Sequence, residues 1–109
     1  MPSYSKGDVV LVRYPFSDLS DFKVRPAVVV SAPHLSQDAF LVPLTSKTWN
    51  LLAGEFVMKD WEGAGLNVAS AVKRGLLTIH QDLILRTLGR VSSEDSRELE
   101  RSLRMWLGL

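Results

Sequence analysis

The sequence predicts a mainly β fold: a small, curved antiparallel sheet or barrel with one C-terminal helix packed on it. Short runs of β-branched and aromatic residues recur along most of the chain, broken by clusters of Gly, Pro, Asp and Ser. Only the C-terminal segment repeats apolar residues at helical spacing. A length of 109 residues has room for one core, so residues 1–109 read as a single domain.

The first strand runs from Val9 to Tyr14, with Val10, Val12 and Tyr14 on one face and Pro15 at its end. Phe16 to Val24 mixes Ser, Asp and Lys with isolated apolar residues and reads as a loop. A second strand starts at Pro26, where a missing N–H is tolerated, and Pro26 holds Arg25 extended. The run Ala27-Val28-Val29-Val30 lacks alternation, which predicts cover on both faces. Phe40 to Leu44 is a third strand, with Pro43 marking an edge or bulge. Glu55 to Lys59, Ser70 to Val72, Leu76 to Ile79 and Leu85 to Val91 complete the strands, and Asp82 opens a turn or single helical turn. Ser92 caps the helix with Asp95 in the capping-box position, and Gly108 ends it. Leu99, Leu103, Trp106 and Leu107 form its expected buried stripe.

Composition narrows the function. There is no cysteine, so disulfides, thiolate metal sites and thiol nucleophiles are excluded, and a cytoplasmic protein is expected. The opening residues lack the apolar stretch of a signal peptide, and no run is long enough to span a membrane. A net charge of +1 gives no long-range attraction for nucleic acid, so any such contact must come from a few placed residues. No His/Asp/Glu cluster has metal-ligand spacing, and there is no glycine-rich phosphate loop. Neither a metal nor another cofactor is expected.

Placed residues are what two strand ends offer. Arg25 stands at the mouth of one apolar run, and the run Phe40-Leu41-Val42-Pro43-Leu44 ends in Thr45-Ser46. A fixed guanidinium beside a hydroxyl suits an anion, and phosphate is the obvious one. A structural ion pair of Arg25 with Asp8 or Asp21, and plain turn chemistry at Thr45-Ser46, are the alternatives.

Taken in order, Gly7-Asp8-Val9-Val10-Leu11-Val12, Arg25-Pro26-Ala27-Val28-Val29-Val30-Ser31 and Val42-Pro43-Leu44-Thr45-Ser46 resemble the opening of the MazF/PemK toxins. Leu88-Gly89-Arg90-Val91-Ser92 and the closing helix resemble their remainder. The resemblance implies an SH3-like barrel, a homodimer, a cognate MazE-like antitoxin and metal-independent cleavage of single-stranded RNA. It implies that Arg25 and Thr45 are catalytic. The chain departs from the family at Asp18-Leu19-Ser20-Asp21-Phe22, where many members carry a Gly-Ser-Glu-Gln-like loop that touches RNA. It departs again at Val72-Lys73-Arg74-Gly75, which is basic where some relatives place an acid.

RNA cleavage by internal attack needs a base for the 2′-OH, an acid for the departing 5′-oxygen and donors for the phosphorane. Arg25 suits the last task and is a poor base. His34 and His80 could form an acid–base pair or be solvated loop histidines. Asp18 and Asp21 could supply a base or serve as turn residues. Ser20, Lys23, Ser46, Lys47, Lys73 and Arg74 are the candidate RNA contacts, the cations forming either a basic rim or ordinary solvated surface. Trp49 and Trp61 could stack on an unpaired base or be partly buried. Two further readings share the fold class. One is a CcdB-like gyrase poison acting through a C-terminal Trp-containing tail, although spacing buries Trp106. The other is a barrel that binds RNA or protein without catalysis.

Overall fold

The computed structural model describes residues 4–15 and 22–109, the side chains of Pro15 and Phe22 excepted. Seven strands, a 3-10 turn and one helix follow in chain order. They are β1 (Asp8–Pro15), β2 (Phe22–Val29), β3 (Asp38–Thr45), β4 (Phe56–Val57), β5 (Ala71–Val72), β6 (Leu77–His80), the 3-10 turn (Gln81–Leu83), β7 (Ile84–Arg90) and α1 (Ser93–Leu107). All strand pairings are antiparallel.

The strands form one sheet in the order β4-β5-β3-β2-β1-β7, with β6 also paired to β3. Both faces are covered, as the unalternating valines require. Val9, Val28, Val42 and Leu44 bury against Met58, Ala64, Val72 and Leu99 on one side. Val10, Val12, Ala27 and Val29 bury against Ala39, Leu41, Ile79 and Ile84 on the other.

A closed barrel is not what forms. Among the described residues no ladder joins β7 to β4, and the sheet stays open. Backbone packing takes the place of a ladder along β7. A Cβ on Gly89 would collide with the carbonyl of Ala64, and one on Gly65 with that of Leu88. Gly65 also has φ +87°, a left-handed conformation that glycine adopts without strain. The 60–66 segment therefore presses side-on against β7 instead of pairing with it.

Several boundaries differ from expectation for local reasons. β2 begins four residues before Pro26, because Lys23, Val24 and Arg25 pair with Tyr14, Arg13 and Val12 of β1. Pro26 is tolerated within the strand because pairing to β3 begins only at Ala27. Pro43 lies where β3 changes neighbours, between Leu41 opposite Leu77 of β6 and Leu44 opposite Val72 of β5. Its missing N–H falls in that gap. The strand expected over Glu55 to Lys59 shrinks to Phe56–Val57.

The helix starts as read: the Ser92 hydroxyl accepts the N–H of Asp95, and Gly108 ends it at φ 71°. The Asp95 carboxylate does not fold back on the cap. It is buried and accepts the N–H groups of Lys59 (2.9 Å) and Asp60 (3.0 Å). The buried stripe is Asp95, Leu99 and Ser102, with Trp106 and Leu103 partly buried, while Leu107 is half exposed. Ser102 donates to Gly54 O at 2.6 Å and Trp106 Nε1 to Ala53 O at 3.0 Å. Two of the three buried helix positions are polar, which is why an apolar stripe mislocated the face.

Candidate nucleic-acid site

The register of β2 on β3 builds the site. Ala27 faces Pro43, Val28 faces Val42 and Val29 faces Leu41. Continued two residues past the last pair, the same register sets Arg25 opposite Thr45. The ladder stops short of them, and beyond it the two strands border a concavity of about 780 Å³. Arg25, Thr45 and Ser46 lie in its wall. β1 runs between β2 and β7, so Leu11 is flanked by Pro26 and Arg86. Arg86, Thr87 and Leu88 therefore form the far side, and the loop from Gly65 to Ser70 contributes Leu66, Asn67 and Val68.

The described lining of this cleft carries cations and hydroxyls. No Asp or Glu is among its described lining residues. Elsewhere Arg90 pairs with Asp8, Arg101 with Glu98 and Arg104 with Glu100. The Arg90–Asp8 pair overturns the expected Arg25–Asp8 alternative; Asp21 lies outside the described residues. Among the described residues the Arg25 guanidinium makes only a long contact with its neighbour's carbonyl, Val24 O at 3.4 Å. The guanidinium is exposed and its fork is open to an anion.

Thr45 Oγ1 accepts the Lys47 N–H at 3.1 Å. That bond uses a lone pair and leaves the hydroxyl proton to donate into the cleft. Tyr14 packs against the second core, near enough to Arg25 to feel its charge. Burial pushes its phenol above the ordinary value, and the Arg25 guanidinium opposes that rise. The Tyr14 hydroxyl is buried with no hydrogen-bond partner among the described residues.

The other sequence candidates lie elsewhere. Lys23, Lys47, Lys73 and Arg74 do not line the cleft. Arg74 borders a separate groove with Leu76, Leu103 and Trp106. The Glu55 carboxylate holds the Lys47 and Lys73 region together. It accepts Arg74 N–H (2.8 Å) and Leu52 N–H (2.7 Å). The Arg74 bond, then the Leu52 bond, with Lys73 and Lys47 nearby, hold its pKa below the ordinary value. Ser20, Asp18 and Asp21 lie outside the described residues.

Neither histidine reaches the cleft. His34 Nδ1 accepts Ser36 N–H at 3.0 Å, and His80 Nδ1 accepts Asp82 N–H at 3.1 Å as cap of the 3-10 turn. Trp49 is exposed and Trp61 packs on the first core, both away from the cleft. Arg86, Asn67 and Thr87 are the exposed polar lining residues that sequence reasoning missed. Their signal was weak, because it required knowing that β1 pairs with both β2 and β7. Among the described residues no group of three His, Asp or Glu could hold a metal ion. No helix there is long and apolar enough to cross a membrane.

The pattern of PemK-like, MazF-like toxins of type II toxin–antitoxin systems matches residues 5–107. The chain belongs to this family. Its fold is that of solved MazF structures. A MazE–MazF crystal structure from Deinococcus radiodurans superposes with a TM-score of 0.81 at 15% identity, over 100% of this chain and 99% of that one. The Mycobacterium tuberculosis toxin MazF-mt6 gives 0.75 at 20% identity, over 94% and 97%. A mycobacterial endoribonuclease in complex with its cognate antitoxin gives 0.75 at 20%, over 98% and 97%. No curated protein sequence matches this MazF/PemK chain.

Proposed function

We propose that this MazF/PemK protein is a toxin endoribonuclease that cuts single-stranded RNA, including mRNA, without a metal ion and so arrests translation. The observation that carries the reading is the meeting of Arg25 and Thr45 in one cleft free of carboxylates among its described residues. Family membership and the endoribonucleases of the same fold support it. The reading includes a cytoplasmic homodimer restrained by a MazE-like antitoxin; complexes of the relatives with antitoxins support that partner.

In the proposed reaction the ribose 2′-oxygen attacks the adjacent phosphorus. The O2′–P bond forms and the P–O5′ bond breaks, leaving a 2′,3′-cyclic phosphate and a 5′-OH end. The 2′-OH loses its proton and the departing 5′-oxygen gains one. Arg25 stays protonated and holds the phosphorane oxygens with two parallel donors, supplying charge that a metal would otherwise supply. The Thr45 hydroxyl donates to the same group, its lone pair already occupied by Lys47 N–H. Neither residue is a proton acceptor of the needed strength, so both act on charge rather than as the base.

The gyrase-poison alternative draws no support from the C-terminus. Its Trp106 is half buried and spends its indole N–H on Ala53 O, so it is not a free tail residue. Incubation of a long single-stranded RNA with the protein in EDTA tests the proposal. Fragments with 5′-OH ends are expected from the wild type, with far fewer from Arg25→Ala and Thr45→Ala. Equal cleavage by all three proteins, or none by the wild type on several RNAs, would overturn it.

A further inference from the structure

Arg86 is the second guanidinium of the cleft without an ion pair among the described residues. It lies on β7, exposed, and has no hydrogen bond or ion pair with any described residue. Two exposed guanidiniums bordering one concavity without a described lining carboxylate make a locally positive site that an anionic backbone can bridge. The arginines with ordinary structural work show the contrast: Arg90, Arg101 and Arg104 each meet a carboxylate.

Position defines what Arg86 can reach. β1 separates β2 from β7, so the backbones carrying Arg25 and Arg86 are two strand spacings apart, roughly 10 Å. Long side chains extending from the two strands can engage neighbouring phosphates of one extended strand but need not share one phosphate. Between them lie Leu11 and Pro26 on the sheet and Leu66 and Val68 on the facing loop. This apolar floor can take the face of an unpaired base, with Arg86 in the same row as Leu11 and Pro26 and Arg25 one residue out of that row at the border of the cleft. No such array fits a rigid duplex groove better than a flexible single strand.

We infer that Arg86 is a second phosphate-binding residue, holding a phosphate next to the one at Arg25 and Thr45. This inference rests on the endoribonuclease reading. Arg86 binds a phosphate that does not react. Its loss weakens RNA binding and raises KM, whereas loss of Arg25 lowers kcat.

The test uses a non-cleavable probe: fluorescent 2′-O-methyl oligonucleotides of randomised sequence, bound to the full chain over a salt series. For Arg86→Ala the affinity should fall about tenfold, and the slope of log K against log salt should lessen by about 0.7, one single-strand phosphate contact. Arg86→Lys should restore the slope, because lysine neutralises a phosphate as a point charge. Arg97→Ala, which removes an exposed helix cation from another groove, should leave the slope unchanged. On cleavable RNA, Arg86→Ala should raise KM about tenfold at nearly unchanged kcat. If the wild type binds and cleaves while Arg86→Ala matches it in affinity and slope, the inference fails and the endoribonuclease reading stands. If the wild type neither binds nor cleaves RNA, both fail together.

Discussion

Thr45 shows how little a residue needs in order to become chemically directed. Its hydroxyl accepts one backbone N–H, from Lys47, and the remaining proton has nowhere better to point than the cleft. A serine can make the same two bonds. Thr45→Ser should therefore keep most of the cleavage rate, whereas Thr45→Ala should lower kcat about a hundredfold, the usual cost of one lost transition-state donor. Single-turnover rates on one RNA would separate the two. That Arg25 and Thr45 border one surface was legible in the sequence because each stands at the end of an apolar run, and a polar group at a buried strand's mouth is conspicuous. Arg86 was not, because an arginine in the exposed strand segment Leu85-Arg86-Thr87 looks like solvated surface. Its meaning depends on the distant pairing that brings β7 beside β1. Lys73 and Arg74 stood out as a basic pair, yet their backbone N–H groups serve Pro43 O and Glu55 instead.

At the scale of elements, two carboxylates join segments that share no ladder. Asp95 ties the helix to the chain leaving β4 through the N–H groups of Lys59 and Asp60. Asp95→Ala leaves those donors without a partner in a partly buried place and should cost about 3 kcal/mol of stability in urea unfolding. A loss under about 0.5 kcal/mol would remove the tie from the account. Glu55 joins the loop after β3 to the segment after β5. Its carboxyl pKa is depressed in the folded chain, so the stability it adds is present above the unfolded carboxylate range. That stability is lost as pH falls through the lowered folded value. The stability gap between wild type and Glu55→Gln should be visible at neutral pH, small because the group is well solvated, and should close in acid. A gap that widened in acid would contradict the sign. The helix itself was legible from its cap, its charge order and Gly108. The face it buries was not, because Asp95 and Ser102 occupy positions where a pattern of apolar residues expects leucine.

For the whole molecule, most of the strand runs followed from β-branched residues and breakers, and the two-sided core followed from the unalternating Ala27 to Val30. Closure was the part the sequence could not supply. Whether a curved sheet closes depends on contacts between remote backbones, and here Gly65 and Gly89 let the 60–66 segment lie against β7. Gly89→Ala should destabilise the fold by about 1–3 kcal/mol through overpacking, read as a lower urea midpoint. An unchanged midpoint would show that this contact is slack. The same contact sets the far wall of the cleft, since Gly65, Leu66 and Leu88 all border it. Open sheet, glycine contact and paired strand ends together leave one described concavity in which Arg25 faces Thr45 across the end of a ladder. The most direct test of its function is the single-turnover rate of RNA cleavage in EDTA by wild type and Arg25→Ala, with 5′-OH ends counted. The account predicts metal-free cleavage that falls at least a hundredfold in the variant; equal rates in the two proteins, or a wild type silent without added metal, would contradict it.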